Sequence, residues 1–204
     1  MNRPVRTRID PDEVRARILE VAEEHFCRIG HYKTSVADIA SELQMSTANI
    51  YRFFPSKGAI VESICGRAVD EVAEIALMIA RESAPASERL DRLLTAVHQH
   101  SKTTLVREER MHDMIVVGIR ENWVIMKAHI ERMITIFEAI IREGSEAGEF
   151  KVEDPAEAAR AIKTAFTPFF HPLLIEHCLQ HGEDTETGLR EHIRFVLKAL
   201  GKSD

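Results

Sequence analysis

Apolar side chains recur along this chain at helical spacing and nowhere alternate for long enough to make a strand. Val14, Ile18, Val21, Ala22, His25 and Ile29 mark the buried stripe of a first helix, which opens at Asp10-Pro11-Asp12-Glu13 and stops at Gly30. Asp10 is placed to cap it, Pro11 suits its first position, and Glu13 is placed to close a capping box. Two short helices follow within residues 34–57. Ile60, Ile64, Ala68, Val72, Ile75 and Ile79 then keep one side of a long helix apolar over residues 56–81, roughly seven turns. Ser83-Ala84-Pro85-Ala86-Ser87 is the first linker. Beyond it the pattern predicts helices over 87–107, 111–121 and 123–146, the last with Met126, Ile130, Met133, Ile134, Phe137 and Ile141 inside. Asp154-Pro155-Ala156-Glu157 opens a strongly apolar helix to about residue 180, which Pro168 and Pro172 should kink or divide. Leu189, Ile193, Val196, Leu197 and Leu200 line one side of a final helix over 185–200. The expected fold is all-α, in two parts: residues 1–66 and 67–204.

The segment TSVADIASELQMSTANIYRFFPSK, residues 34–57, carries the most chemistry. Val36, Ile39, Ala40 and Leu43 share one face of its first helix, with Ser35 placed to cap it. Met45 fills the turn, Ser46 is placed to cap the second helix, and Ile50, Phe53 and Phe54 point inward. Thr47, Ala48, Asn49, Tyr51 and Arg52 are left outside. Small, hydrogen-bonding and cationic groups on one face suit the base edges and phosphates of a DNA major groove, which admits one α-helix. The segment reads as a DNA-binding helix-turn-helix. Thr47, Ala48 and Asn49 are placed for bases, and Tyr51 and Arg52 for phosphates. Lys57, in the first turn of the next helix, is a further phosphate candidate. Thr34 and the arginines of the N-terminal arm, Arg3, Arg6 and Arg8, form a second tier; the arm reads equally well as a disordered tail.

The order T-S-V-x-x-I-A, then M-S-x-x-x-I-Y-R-F-F, then S-K-x-x-I resembles the DNA-binding domain of the tetracycline-repressor (TetR) family of bacterial regulators, over roughly residues 10–66. The resemblance implies an N-terminal three-helix helix-turn-helix domain and a C-terminal helical domain for effector binding and dimerisation. By the same resemblance Thr34, Ser35, Ser46 and the exposed residues of the second helix contact operator DNA. The family usually places a glycine in the turn, where this chain has Leu43-Gln44-Met45; a left-handed residue other than glycine costs about 1 kcal/mol there.

A net charge of −6 is unusual for a DNA binder until it is divided. Residues 1–66 hold nine Lys/Arg and nine Asp/Glu, and the remainder 18 and 24, so the whole excess sits in the second part. A neutral reading head with a basic arm on an acidic body remains compatible with DNA. Cys27, Cys65 and Cys178 are odd in number and far apart, which fits a reducing cytoplasm rather than a disulfide framework. The N-terminus has no apolar core of a signal peptide, and no run approaches the ~18 apolar residues of a membrane span.

The resemblance implies that the body dimerises through its last two long helices, and an apolar helix such as 158–179, which needs cover on more than one side, fits that expectation. Its candidate effector-pocket residues are His98, Met114, Trp123, Met126, Ile130, Phe166 and Phe170, each of which also reads as simple packing. His98-x-His100 and His177-x-x-x-His181 have spacings that metals tolerate, but His98 and His100 fall on different helix faces and His181 lies beside Gly182, so no metal site is assigned. The chain has no Gly-rich phosphate loop, nucleophile elbow or H-E-x-x-H, and it is not read as an enzyme. Its expected partners are double-stranded operator DNA, a second copy of itself and an unidentified small-molecule effector; no cofactor or membrane is expected. A nucleoid or interaction protein using the same head is the principal alternative, with a metal sensor or helical enzyme behind it.

Overall fold

The computed structural model describes residues 10–105 and 124–201, which form helices joined by short loops. Arg3, Arg6, Arg8, Met114 and Trp123, and the helix expected over 111–121, lie outside the described residues. The chain divides into two compact units, Met1–Cys65 and Gly66–Asp204.

The first unit contains α1 (Pro11–Ile29), α2 (Val36–Glu42), α3 (Thr47–Phe53) and the opening turns of α4 (Lys57–Ala80). Asp10 caps α1 by accepting from the Asp12 N–H at 3.1 Å, with Pro11 in the first turn. The reciprocal capping box expected at Glu13 forms instead on α2. There the Asp38 N–H donates to Ser35 Oγ at 3.2 Å, and Ser35 N–H donates to Asp38 Oδ2 at 2.8 Å. Ile18, Phe26, Ile39, Ile50, Ile60 and Ile64 are the unit's large, fully buried side chains. The α1 stripe is wider than expected, with Leu19 also buried, and it departs from expectation at its end. Phe26, one turn beyond Ala22, is fully buried in place of Ile29, which is 40% exposed where the helix runs out at Gly30 (φ +92°).

The turn between α2 and α3 settles the missing glycine. Gln44 adopts φ +53°, its N–H donates to Ser41 O at 3.1 Å, and the Met45 N–H donates to Ala40 O at 2.8 Å. This is a Schellman closure with glutamine in the left-handed position. Gln44 bears the Cβ strain that glycine avoids, so Gln44→Gly should stabilise the protein by up to about 1 kcal/mol. A chemical-denaturation midpoint that fell on substitution would overturn that account of the turn.

The second unit takes the rest of α4, then α5 (Ala86–His100), which continues as a π-helical turn over Ser101–Leu105. After the undescribed stretch come α6 (Val124–Glu146), α7 (Pro155–Ala165), α8 (Thr167–Phe170), α9 (Pro172–Gln180) and α10 (Thr185–Ala199). Pro168 and Pro172 thus divide the expected apolar helix into three, since each lacks the N–H the ladder needs and crowds the preceding turn. Leu90, Leu94 and Val97 of α5 meet Phe137, Ile140 and Ile141 of α6, Phe166, and Leu189 and Ile193 of α10 in one core. The N-terminus of α5 has no side-chain cap of its own. Glu149 supplies one from 63 residues away, accepting from Ala86 N–H at 2.9 Å and Ser87 N–H at 3.1 Å. Burial, the largest single influence, raises the Glu149 carboxyl, but the two backbone donors together with the Ser87 hydroxyl and the Arg89 charge hold it below its ordinary value.

Candidate functional site

Two places in the fold carry candidate chemistry, one in each unit. In the first, Ser46 Oγ accepts from the Asn49 N–H at 3.2 Å and so starts α3. Ile50 faces the core, while Thr47, Ala48, Tyr51 and Arg52 are exposed and Asn49 is partly so. Phe54 is buried, but Phe53 is only half-buried, because α3 ends there. Arg15 of α1 holds that end. Its guanidinium donates to Phe53 O at 2.9 Å and lies 5.0 Å from the centre of the Phe54 ring, joining a C-terminal carbonyl and a cation–π contact in one side chain.

Two of the expected phosphate contacts are spent inside the unit. Thr34 is 1% exposed, and its hydroxyl donates to Gly30 O at 3.0 Å, with His25 O at 3.4 Å. Its side chain closes the loop after α1 instead of facing outward. Lys57 Nζ donates to His31 O at 2.8 Å and Thr34 O at 3.0 Å, so two of its three N–H groups are committed to the same loop. Ser56, not Lys57, serves the first turn of α4, accepting from the Ala59 N–H at 3.0 Å. Ser35 and Ser46 stay exposed, although both hydroxyls work as caps. The same loop exposes Tyr32, at 79%, and Lys33 beside it. Neither stood out in the sequence, because no periodicity extends through the six-residue loop between α1 and α2.

The second unit holds a partly open cavity of about 420 Å³. Val72 of α4, Val97 of α5, Ile130, Met133 and Phe137 of α6, and Phe170 form much of its apolar wall. Of the five described pocket candidates, Met126, Ile130 and Phe170 line it, whereas His98 and Phe166 do not. His98 is fully buried, with Nδ1 2.9 Å from Phe169 O and Nε2 3.4 Å from Thr185 Oγ1, and joins α5 to α8 and α10. Phe166 is packed in the core, stacked on Phe170 with centroids 5.9 Å apart. A histidine tied on both nitrogens is a structural pin, which spacing alone does not separate from a ligand group.

The wall's polar members, Ser101, Lys127, His129, Lys163, Thr167 and His171, were not among the expected pocket residues. Burial pushes the His129 imidazole down to about 4; the Asp70 carboxylate pulls it up and Arg132 pushes it further down. The ring is therefore neutral at ordinary pH. Its Nδ1 is buried with no hydrogen-bond partner among the described residues. Elsewhere, burial aided by Glu23 pushes the Cys65 thiol up to about 12, which leaves it protonated and unreactive. Among the described residues no three His, Cys, Asp or Glu side chains gather as a metal would require. None of the described helices is long and apolar enough to cross a membrane.

Comparison with known proteins follows the same division. Residues 18–64 match the family described as "Bacterial regulatory proteins, tetR family", and residues 86–188 match "Tetracyclin repressor-like, C-terminal domain". The HTH-type transcriptional regulator LuxR of Vibrio harveyi is 33% identical over 64 residues, a stretch covering 31% of each chain. The uncharacterized HTH-type transcriptional regulator YhgD of Bacillus subtilis is 23% identical over 186 residues, 90% of this chain and 94% of that one. A transcriptional regulator from Saccharomonospora viridis, solved in complex with choline, has the same fold. It is 24% identical with a TM-score of 0.63, and the match covers 92% of this chain and 96% of that one.

Proposed function

Because this chain belongs to the tetracycline-repressor family and is a DNA-binding transcriptional regulator, we propose that it works as a homodimeric cytoplasmic repressor released from its operator by a small molecule. The exposed face of α3 carries the reading: Thr47, Ala48, Asn49, Tyr51 and Arg52 stand outward on a helix whose ends are fixed by Ser46 and Arg15. Thr47, Ala48 and Asn49 read base edges, while Tyr51, Arg52 and the flanking Tyr32 and Lys33 take phosphates. The arginines Arg3, Arg6 and Arg8 add to the cationic contact. A dimer sets two such helices about one DNA turn apart.

Exposed apolar side chains on the last helices supply the second copy's contact. Leu173, Leu174 and Leu179 on α9 and Phe195 on α10, itself 73% exposed, would otherwise leave apolar surface in water. The cavity of the second unit is the effector site, and the relative of the same fold with bound choline supports a small-molecule role for it. Helix α4 is the transmitter. It gives buried Ile60, Val61 and Ile64 to the first unit and Ala68, Val69 and Val72 to the cavity wall. An effector that prefers one position of α4 can shift DNA affinity by no more than that preference.

Selection of genomic fragments with the purified protein, followed by affinity measurement across a salt series, tests this directly. A single enriched palindrome with steep salt dependence is expected. Asn49→Ala should weaken that site about tenfold and random DNA far less. Arg52→Ala should weaken both alike and lower the salt slope by about 1. Binding spread over many unrelated fragments would favour a nucleoid-organising protein instead.

A further inference from the structure

Among the described residues the ionisable groups on the cavity wall are Lys127, His129, Lys163 and His171, with no aspartate or glutamate beside them. Among the described residues no ion pair reaches either lysine. Lys127 is exposed and Lys163 half-buried, so both keep contact with water while their stems meet an apolar interior. His129 adds hydrogen-bonding capacity without charge, since its ring is neutral. A cavity of about 420 Å³ lies within the range of small-molecule sites.

We propose that this cavity selects an apolar monocarboxylic acid, its body against Val72, Ile130, Phe137 and Phe170 and its carboxylate held by the lysines of the wall. This identification rests on the cavity being the effector site. A cationic ligand would meet two like charges there, with low-dielectric walls that strengthen the repulsion. A neutral ligand would bury the same apolar area but gain no charge-assisted hydrogen bond. The sign of the wall's charge therefore decides the class, and the apolar interior accommodates the rest of the molecule.

Calorimetric titration of the full-length protein with decanoate, decanamide and decylammonium separates the three cases. Decanoate should bind about tenfold tighter than decanamide, with decylammonium weakest. In the double variant K127Q/K163Q, checked for an unchanged melting temperature, decanoate and decanamide should bind alike. Equal or tighter binding of the amide or the ammonium, survival of the acid's advantage in the double variant, or no binding of any probe would overturn the inference. Affinity for a selected DNA fragment is then measured with each probe. Acid-selective binding that leaves DNA affinity unchanged would sink the effector role while leaving the cavity's chemistry standing. DNA release by all three probes alike would do the reverse.

Discussion

Replacing Lys57 by methionine should cost the first unit about 2 kcal/mol of stability and weaken binding to every DNA sequence together. The side chain sits where the resemblance implies a phosphate contact, yet its ammonium donates to His31 O and Thr34 O across 26 and 23 residues. Methionine keeps the aliphatic stem and removes only the donors. Two carbonyls then lose a charged partner, and the loop that sets α1 against α2 is released. Hydrogen exchange on the intact chain reads the effect: the amides of α2 and α3 should exchange faster in K57M, whereas R52A should leave them unchanged. Arg52 is exposed and makes no such tertiary hydrogen bond among the described residues, so its loss is felt only when DNA is present. Unchanged exchange in K57M with a salt slope lowered by about 1 would return Lys57 to a plain phosphate contact.

The contrast between these two cations marks how far the sequence could be read. Periodicity placed α2 and α3 because their buried and exposed positions repeat within a turn or two, and Ser35, Ser46 and Asp154 announced their helices by local chemistry. Bonds that cross from one helix to another leave no such trace. Arg15 reaches Phe53 over 38 residues and Glu149 reaches Ala86 over 63, and nothing in the local sequence distinguishes either from a surface charge. The pocket was legible only in part, for the same reason. Met126 and Ile130 were legible as inward positions, but His98 and Phe166 occupied inward positions as well and turned out to be packing. Whether an inward side chain meets a neighbour or a void depends on the other helices, and that is information only the fold contains. Lys163 and His171 lie near the two prolines that divide the apolar segment, so their common presence on one wall depended on how the chain turned there.

Gly144→Val should destabilise the second unit by about 3 kcal/mol, although valine replaces glycine inside a helix. Helical glycine ordinarily costs about 1 kcal/mol against alanine, so most such substitutions gain stability. At Gly144 the sign reverses, because a Cβ there would lie 2.4 Å from Phe150 Cδ2 and 2.8 Å from the Ala86 Cβ. Ala86 opens α5 and its N–H is held by Glu149, while Phe150 is buried beside it, so neither neighbour moves without breaking the cap. Gly188 of α10 gives the opposite case in the same unit. Its nearest atom would be Phe169 Cε1 at an ordinary 3.6 Å, and Gly188→Ala should therefore raise stability by up to about 1 kcal/mol. Equilibrium denaturation of the two variants beside the parent compares them directly. A stable Gly144→Val would mean that α5 and the 149–150 turn can part at little cost. The helix start would then be held by its own residues, and the Glu149 cap would be incidental to the packing of the body. A destabilised Gly144→Val with a stabilised Gly188→Ala places the limit at the contact between α6 and the start of α5, because helix propensity would have favoured both substitutions.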